Sequence, residues 1–278
     1  MADNKASILV PWDFTETSEN ALQHAINLAK KADNDVILMH IIEKGSFFAK
    51  KSNKAIEAER VEYEAKFKAL TQEFFMKYTF KPKYIIAVGE LIKTTAEEAK
   101  KNKVNLIIIG TNHLIRESHM KTKGLLKLNM LADIPIIIAK TPPPRPYYIE
   151  VVFPIDHDKK NKDKVAWAIY LAKYYSCNIN IIKPFSIDSL DKKNLNNNIY
   201  FAKKAFDNKG IIYGIKTAKK DENFHTSTCN FSQKIDADLI LVMSYAFKHF
   251  AEVEKNEFSI PVMLVNLNQK IRKLGKFN

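Results

Sequence analysis

An internal repeat constrains this 278-residue chain more than any other feature of its sequence. The segment His24–Lys30 lies without gaps over Trp167–Lys173, 143 positions later, and five of the seven positions are identical. Further on, Asn105–Thr111 corresponds to Asp238–Ser244 in the same order. Solenoid repeats recur roughly every 20–50 residues. A period as long as this one therefore indicates two copies of one domain.

A proline-rich segment separates the two copies. Thr141–Pro146 reads Thr-Pro-Pro-Pro-Arg-Pro, which is typical of a short, semi-rigid extended spacer. We therefore expect a first domain over 1–141, a linker over 142–147, a second and more degenerate domain over 148–267, and a basic tail over 268–278. The tail could be a solvated end or a docking arm.

Each copy alternates short β-branched runs with longer segments in which apolar residues recur every 3.6 positions. Runs such as Leu106–Ile109 are apolar on both faces, as in strands that helices cover on both sides. This alternation predicts the α/β class, with two tandem doubly wound, five-stranded parallel sheets of Rossmann-like type. The predicted strands are 8–10, 36–42, 84–88, 104–109 and 136–139, then 148–153, 178–183, 210–217, 238–243 and 261–266. The main predicted helices are 52–78, 91–101 and 120–132, then 160–175, 190–208, 224–235 and 246–256.

Composition excludes several classes of protein. There are only seven glycines, and their positions form neither G-x-G-x-x-G nor G-x-x-x-x-G-K-[ST], so the two best-known phosphate loops are absent. No zinc quartet, H-E-x-x-H or G-x-S-x-G motif occurs, and the two cysteines have no CxxC spacing. We therefore expect no metal site and no dedicated enzymatic activity, although slow hydrolysis of a bound nucleotide stays open.

The formal charge of +13 is spread over both copies. It comes mainly from lysine, without an arginine cluster or a helix-turn-helix signature, which is typical of a solvated surface. We therefore expect no nucleic-acid partner. The N-terminal residues lack the pattern of a signal peptide, and no stretch approaches about 18 apolar residues. The sequence thus favours a cytoplasmic protein with no membrane association.

In a doubly wound sheet, ligands bind at the carboxyl ends of the strands, at the topological switch point. Asp13 follows the first predicted strand and precedes Thr15–Ser18, which offers N-cap residues for the first helix. Its carboxylate could accept from an adenine amino group or a ribose hydroxyl. The alternative is that Asp13 caps its own helix.

Four motifs carry a resemblance to a known family: Ile-Leu-Val-Pro-x-Asp at 8–13, the A-x-x-L-A-K helix, Val88–Glu90, and Asn105–Thr111 followed by Asp133–Pro135. With them the chain resembles a tandem universal stress protein, two UspA-type domains in one polypeptide. The resemblance implies the fold of adenine nucleotide alpha hydrolase-like proteins and a role in the stress response. Members of that family differ in whether they hold ATP.

The resemblance also implies a nucleotide site in the first copy. Members that hold ATP have a glycine after the fourth strand, a second glycine three residues later and a Gly-Ser or Gly-Thr further on. Here the first element is Gly110 with Thr111, the second falls on His113, and Thr122 offers a hydroxyl near the third. The implied cofactor site therefore comprises Asp13, Ile41, Gly110, Thr111 and Thr122, with Asp13 and the Ile41 backbone at the adenine end.

The second copy departs further from that pattern. Met243 replaces the glycine, and seven residues are missing before Pro261, where the phosphate loop would lie. Two functions stay open: a non-catalytic stress-response binding or scaffold protein with a decayed nucleotide loop, or an ATP-dependent switch that uses the first copy only. Protein partners are not marked by the sequence.

Family resemblance further implies that the copies pair through their last strands. The apolar edges at 136–139 and 262–265 need cover, so we expect an internal pseudo-dimer, which could dimerise further.

Overall fold

The central element of the fold is one sheet of ten strands. The computed structural model describes residues 5–46, 49–110, 122–186, 188–253 and 259–267. Its strands are β1 Ser7–Pro11, β2 Asp35–Ile42, β3 Gly45–Ser46, β4 Ala49–Lys50, β5 Lys83–Val88, β6 Val104–Gly110, β7 Ile136–Ala139, β8 Glu150–Pro154, β9 Asn178–Lys183, β10 Tyr213–Thr217, β11 Leu239–Met243 and β12 Val262–Val265. Strands β3 and β4 form a separate hairpin, which the sequence did not predict.

The helices lie between these strands in the predicted order. They are α1 Glu16–Ala32, α2 Asn53–Tyr78, α3 Leu91–Lys101, α4 Thr122–Ala132, α5 Val165–Tyr175, α6 Ser189–Asp207, α7 Phe224–Lys234 and α8 Phe247–Val253, with 3₁₀ turns at Lys159–Lys164 and Ser244–Ala246. Apolar residues at helical spacing predicted their existence, and local caps set their ends. Thr15, for example, is the N-cap of α1 and accepts from the Ser18 N–H, while Asp33 ends the helix in the left-handed conformation.

The sheet order is β10-β9-β8-β11-β12-β7-β6-β1-β2-β5, and both halves repeat the same internal order. All pairings within a half are parallel, whereas β7 and β12 pair antiparallel, with Ile137 opposite Met263. The predicted α/β class and the pairing of the last strands are thus confirmed. The two predicted sheets are one continuous sheet, because this pairing joins the two apolar edges.

Two layers of core cover the faces of the sheet. Helices α1, α2, α5 and α6 bury apolar residues on one face, and α3, α4, α7 and α8 do so on the other. Each layer runs across both halves, and the residues Leu106–Ile109 are all buried between the two layers. The apolar character of both faces of this strand therefore has the predicted cause.

The proline-rich linker is held by side chains from both halves. His24 of α1 lies 3.1 Å from the carbonyl oxygen of Thr141. The Arg145 Nε lies 3.2 Å from the Oδ1 of Asp238, and the Asp238 side chain is 1% exposed. The Oδ2 of Asp238 accepts from the N–H groups of Ile149 and Glu150 at 2.7 and 2.9 Å. These contacts order the connection between the halves.

The starts of two elements in the second half differ most from the prediction. The predicted helix over 160–175 begins as a 3₁₀ turn, Lys159–Lys164, because the Asp158 carboxylate accepts from the Lys160 N–H and tightens the chain there. The predicted strand over 210–217 begins at Tyr213, since Gly210 adopts a positive φ of 64° in a turn after α6.

Candidate functional site

The structure places three of the five candidate residues at the carboxyl ends of adjacent strands. Asp13 follows β1, Ile41 is the second-last residue of β2, and Gly110 ends β6, with β1 between the other two strands. Thr122 is the first residue of α4 and is half-buried. Thr111 lies outside the described residues, as do the neighbouring histidines at 113 and 119.

Asp13 is exposed, and its carboxylate is bound to the start of its own helix. The Oδ1 atom accepts from the Thr15 N–H at 3.1 Å, from the Thr15 hydroxyl at 2.5 Å and from the Ser18 hydroxyl. The Asp13 N–H donates to the Ser18 Oγ at 3.2 Å. A negative charge at a helix N-terminus is favourable, because the first N–H groups point toward it. The N-cap of α1 is Thr15, and Asp13 supports the start of that helix by binding Thr15 and the Ser18 side chain, which agrees with the structural alternative for this residue.

Gly110 lies against the first turn of α1. A Cβ built on Gly110 would lie 1.8 Å from the carbonyl oxygen of Thr17 and 2.9 Å from the nitrogen of Ser18. These are backbone atoms, which cannot turn away as the end of a side chain can. A glycine is thus required here by helix–strand packing alone, whether or not a phosphate approaches.

The backbone of Ile41 faces the space beyond the end of β1. The Trp12 N–H donates to the carbonyl oxygen of Met39, and the Gly89 N–H donates to that of Ile42. Because alternate residues of a parallel strand bond to opposite neighbours, the N–H and C=O of Ile41 point toward the β1 side. The position therefore suits main-chain recognition of a ligand.

Three half-exposed aromatic side chains, Phe14, His40 and Tyr63, form a cluster beside Ile41 on the side of α2. The His40 Nδ1 lies 2.8 Å from the carbonyl oxygen of Trp12, so Nδ1 carries the proton. Burial lowers the pKa of His40 below its usual value. Phe14 has a positive φ of 64° and stacks on Tyr63, with ring centroids 5.5 Å apart. Sequence reasoning missed this group, because its members come from three elements.

A groove of about 530 Å³ lies at the ends of β2 and β5, next to the strand end that carries Ile41. Its lining includes Glu43, Gly45, Val88, Gly89, Lys93 and Glu97. The lining carries charges of both signs. Such a groove is large enough for part of a nucleotide but has no strong preference for an anion.

The equivalent cleft of the second half is filled by its own side chains. The Asp156 Oδ1 accepts from the Asp158 N–H at 2.7 Å and from the Asn161 side-chain amide at 2.5 Å. The buried Lys164 ammonium donates to the carbonyl oxygen of Pro154 at the end of β8. Only about 10 Å³ is left between these groups and Met243, about the space that one water needs.

Lys164 is 2% exposed, and sequence reasoning missed it. Burial lowers its pKa to about 7, although the charges of Asp156 and Asp158 act in the opposite direction. The internal repeat could have indicated that Lys164 is buried, because Lys164 occupies the position of the buried Ala21. The sequence could not show that the helix begins differently there.

The described residues contain neither a metal-binding cluster nor a membrane-spanning helix. In that part of the chain, no three His, Cys, Asp or Glu side chains are placed to hold a metal ion together. None of the helices described there is both long enough and apolar enough to cross a membrane.

Comparisons with known proteins connect these features to a family. Residues 6–123 match the model of the Universal stress protein family. No curated protein matches this sequence. The match covers the four placed candidates, Asp13, Ile41, Gly110 and Thr122, and the whole of β1 to β6.

Solved structures are similar over nearly the whole chain. A universal stress protein from Archaeoglobus fulgidus DSM 4304 has a TM-score of 0.70 and 14% identity, covering 95% of this chain and 99% of that one. A putative universal stress protein from Pseudomonas aeruginosa UCBPP-PA14 has a TM-score of 0.62 and 15% identity, covering 95% and 94%. At these identities the similarity shows the fold alone.

One similar structure contains a nucleotide. It is a universal stress protein from Archaeoglobus fulgidus in complex with dAMP, with a TM-score of 0.36 and 13% identity, covering 44% of this chain and 98% of that one. A likeness this low supports no conclusion about the ligands of the present chain.

Proposed function

We propose that this protein is a cytoplasmic universal stress protein of the tandem type, which acts by binding other proteins rather than by catalysis. Its two units would be 1–141 and 148–267, joined by the linker 142–147 and followed by the tail 268–278. The family match over residues 6–123 and the repeated strand order of the two sheet halves support this proposal.

One observation favours a binding or scaffold role over a nucleotide-dependent one. Asp13 and Asp156 make the same kind of contact in the two halves, each closing the loop before its helix through Oδ1. The second half keeps this contact although its cleft is filled. A purely structural role therefore explains both aspartates, and no ligand is needed to account for them.

The second candidate is an adenine-nucleotide switch that uses the first half only. The orientation of the Ile41 backbone and the neighbouring groove of about 530 Å³ favour it. ATP would then bind with its adenine near Asp13 and Ile41, and its phosphates near Gly110, Thr111 and Thr122. Thr122 opens an 11-residue helix whose N-terminus would favour an anion.

Thermal unfolding with and without Mg-ATP separates the two candidates. A site with a dissociation constant of about 10 µM would be stabilised by about 2.7 kcal/mol at 1 mM ATP. That corresponds to a rise in Tm of roughly 5–10 °C for a protein of this size. The scaffold proposal predicts no rise, and no nucleotide in mass spectra of material released from the purified protein.

A matched pair of variants identifies the site if a rise is seen. Asp13→Ala and Asp156→Ala each remove a loop-closing carboxylate, so their effects on stability in the absence of ATP should be similar. A rise in Tm that Asp13→Ala abolishes and Asp156→Ala retains would overturn the scaffold proposal and support the switch. A rise lost only in Asp156→Ala would contradict both.

A further inference from the structure

The outer strand of the second half, β10, is an open sheet edge. It pairs with β9 alone, and four of its five residues are exposed. Ile215 in its centre is 42% exposed, and Ile212 just before it is 73% exposed. A Cβ added to Gly214 would meet nothing closer than 3.9 Å. Both the edge and part of one face are therefore accessible.

The ladder shows which backbone groups face outward. The carbonyl oxygen of Ile212 accepts from Ile179, and the Ala218 N–H donates to Lys183. Even-numbered residues therefore bond to β9, and the N–H and C=O groups of Tyr213, Ile215 and Thr217 point away from the sheet. No side chain in the described ranges bonds to these outward groups.

The opposite edge of the sheet is protected. There β5 lies against α2, and the Arg60 guanidinium donates to the carbonyl oxygen of Ile86 at 3.3 Å. The Gly89 N–H bonds to Ile42 of β2, so the groups of Ile86 are the outward ones. Folded proteins commonly blunt an edge in such ways, and β10 has no equivalent contact in the described residues.

The charge around β10 indicates which kind of strand could pair with this edge. Residues 209–220 contain four lysines, at 209, 216, 219 and 220, and no acidic residue. All four lysines are exposed. The nearby carboxylate of Asp207 accepts from the Tyr213 hydroxyl at 2.8 Å. Two copies paired through β10 would bring like charges together, whereas an acidic strand would meet complementary charge.

We propose that β10 receives an added strand from a partner protein, an extended acidic segment that alternates apolar residues with Asp or Glu. Main-chain bonds to Tyr213, Ile215 and Thr217 would supply affinity, as in other cases of strand addition. The apolar residues would lie beside Tyr213 and Ile215, on the face of α5 and α6. The acidic residues would lie beside Lys216 on the other face. This proposal is independent of nucleotide binding.

A blocked, fluorescent peptide of about seven residues that alternates valine and glutamate is the probe. Fluorescence anisotropy with the full-length protein should show binding that weakens as salt rises, because lysines contribute. Hydrogen exchange should slow at 213–217. The same peptide with lysine in place of glutamate should not bind. Equal binding of the two peptides, or protection elsewhere in the chain, would overturn the proposal.

Ile215→Pro tests the main-chain bonds. The Ile215 N–H faces outward, so proline removes no bond to β9 but blocks an added strand. We expect at least about a tenfold loss of affinity, and no such loss for Ile215→Val. Lys216→Glu, a surface change that leaves the ladder intact, should also weaken binding. Retained affinity in both variants would contradict the proposal, as would a dimer in sedimentation that Ile215→Pro dissolves.

Discussion

His24 provides a specific test of how the two halves are held together. Its side chain is 1% exposed and lies between the linker and the second half. Because a carbonyl oxygen can only accept, Nε2 carries the proton and donates to the Thr141 oxygen at 3.1 Å. Nδ1 then accepts from the Tyr148 hydroxyl at 3.1 Å. Protonation of His24 would place a positive charge in the protein interior, and burial therefore lowers the pKa of His24 to about 4.

The sign and size of the pH dependence follow from that value. The pKa of an unfolded histidine is about 6.5, so between pH 6.5 and 4 the unfolded chain binds one more proton at His24 than the folded chain. Stability must therefore fall as the pH falls through this window. Linkage gives a loss of about 1 kcal/mol at pH 5.5 and about 2.5 kcal/mol at pH 4.5, relative to pH 7.

Urea unfolding of the wild type and of His24→Gln at pH 7, 5.5 and 4.5 measures this loss. Glutamine keeps an amide donor for Thr141 but does not titrate. Between pH 7 and pH 4.5, the wild type should therefore lose about 2.5 kcal/mol more unfolding free energy than the variant. His157→Gln, at an exposed position, is the matched control. A difference for His24→Gln that is independent of pH would refute a buried, neutral His24.

Two further predictions concern the switch points of the sheet. Gly110→Ala should lower the unfolding free energy by more than about 2 kcal/mol, because the new Cβ would lie 1.8 Å from the Thr17 oxygen. Gly214→Ala, whose Cβ would come no closer than 3.9 Å to another atom, should change it by less than about 0.5 kcal/mol. Equal effects of the two substitutions in chemical denaturation would contradict the packing explanation. Burial lowers the pKa of Lys164 to about 7, so the unfolded chain binds more protons from pH 7 to 10.5 and stability should rise with pH. The wild type should gain about 2–3 kcal/mol from pH 6 to 9, and Lys164→Met should remove this gain; a variant with the same pH profile would contradict a buried amine.

Most of the fold could be predicted from the internal repeat. Apolar runs such as Leu106–Ile109 predicted strands buried on both faces, and their alternation with helical spacing predicted the parallel halves. The single continuous sheet could be predicted only from the pairing of the last strands that the family resemblance implies. The apolar pattern of a strand does not show which other strands it pairs with. The β3–β4 hairpin escaped prediction because its two-residue strands are too short to show any periodicity.

The candidate site was less predictable than the fold. The sequence placed Asp13, Ile41 and Gly110 at one edge of the sheet, since strand ends can be recognised from apolar runs. It could not show that Lys164 lies in the cleft of the second half, because a charged residue is normally assigned to the surface. Nor could it separate the two roles of Asp13, since capping and ligand binding need the same carboxylate at the same place.

The requirement for glycine after the fourth strand follows from how each helix begins. In the first half, α1 starts with a regular turn at Glu16, and Thr17 lies where a Cβ of Gly110 would be. In the second half, the 3₁₀ turn Lys159–Lys164 replaces that turn, and the buried Met243 occupies the position of Gly110. In the second half, a larger residue at this position thus accompanies a different helix start.

These structural roles determine which residues can give evidence for nucleotide binding. Gly110 and Asp13 both have structural roles in the first turn of α1, so their presence would be expected without any ligand. The Ile41 backbone has no such role in the ladder, because β1 ends before it. Evidence for a nucleotide in this protein should therefore be sought in the hydrogen exchange of the Ile41 N–H with and without Mg-ATP. Slower exchange there would report a ligand, which neither Gly110 nor Asp13 can do.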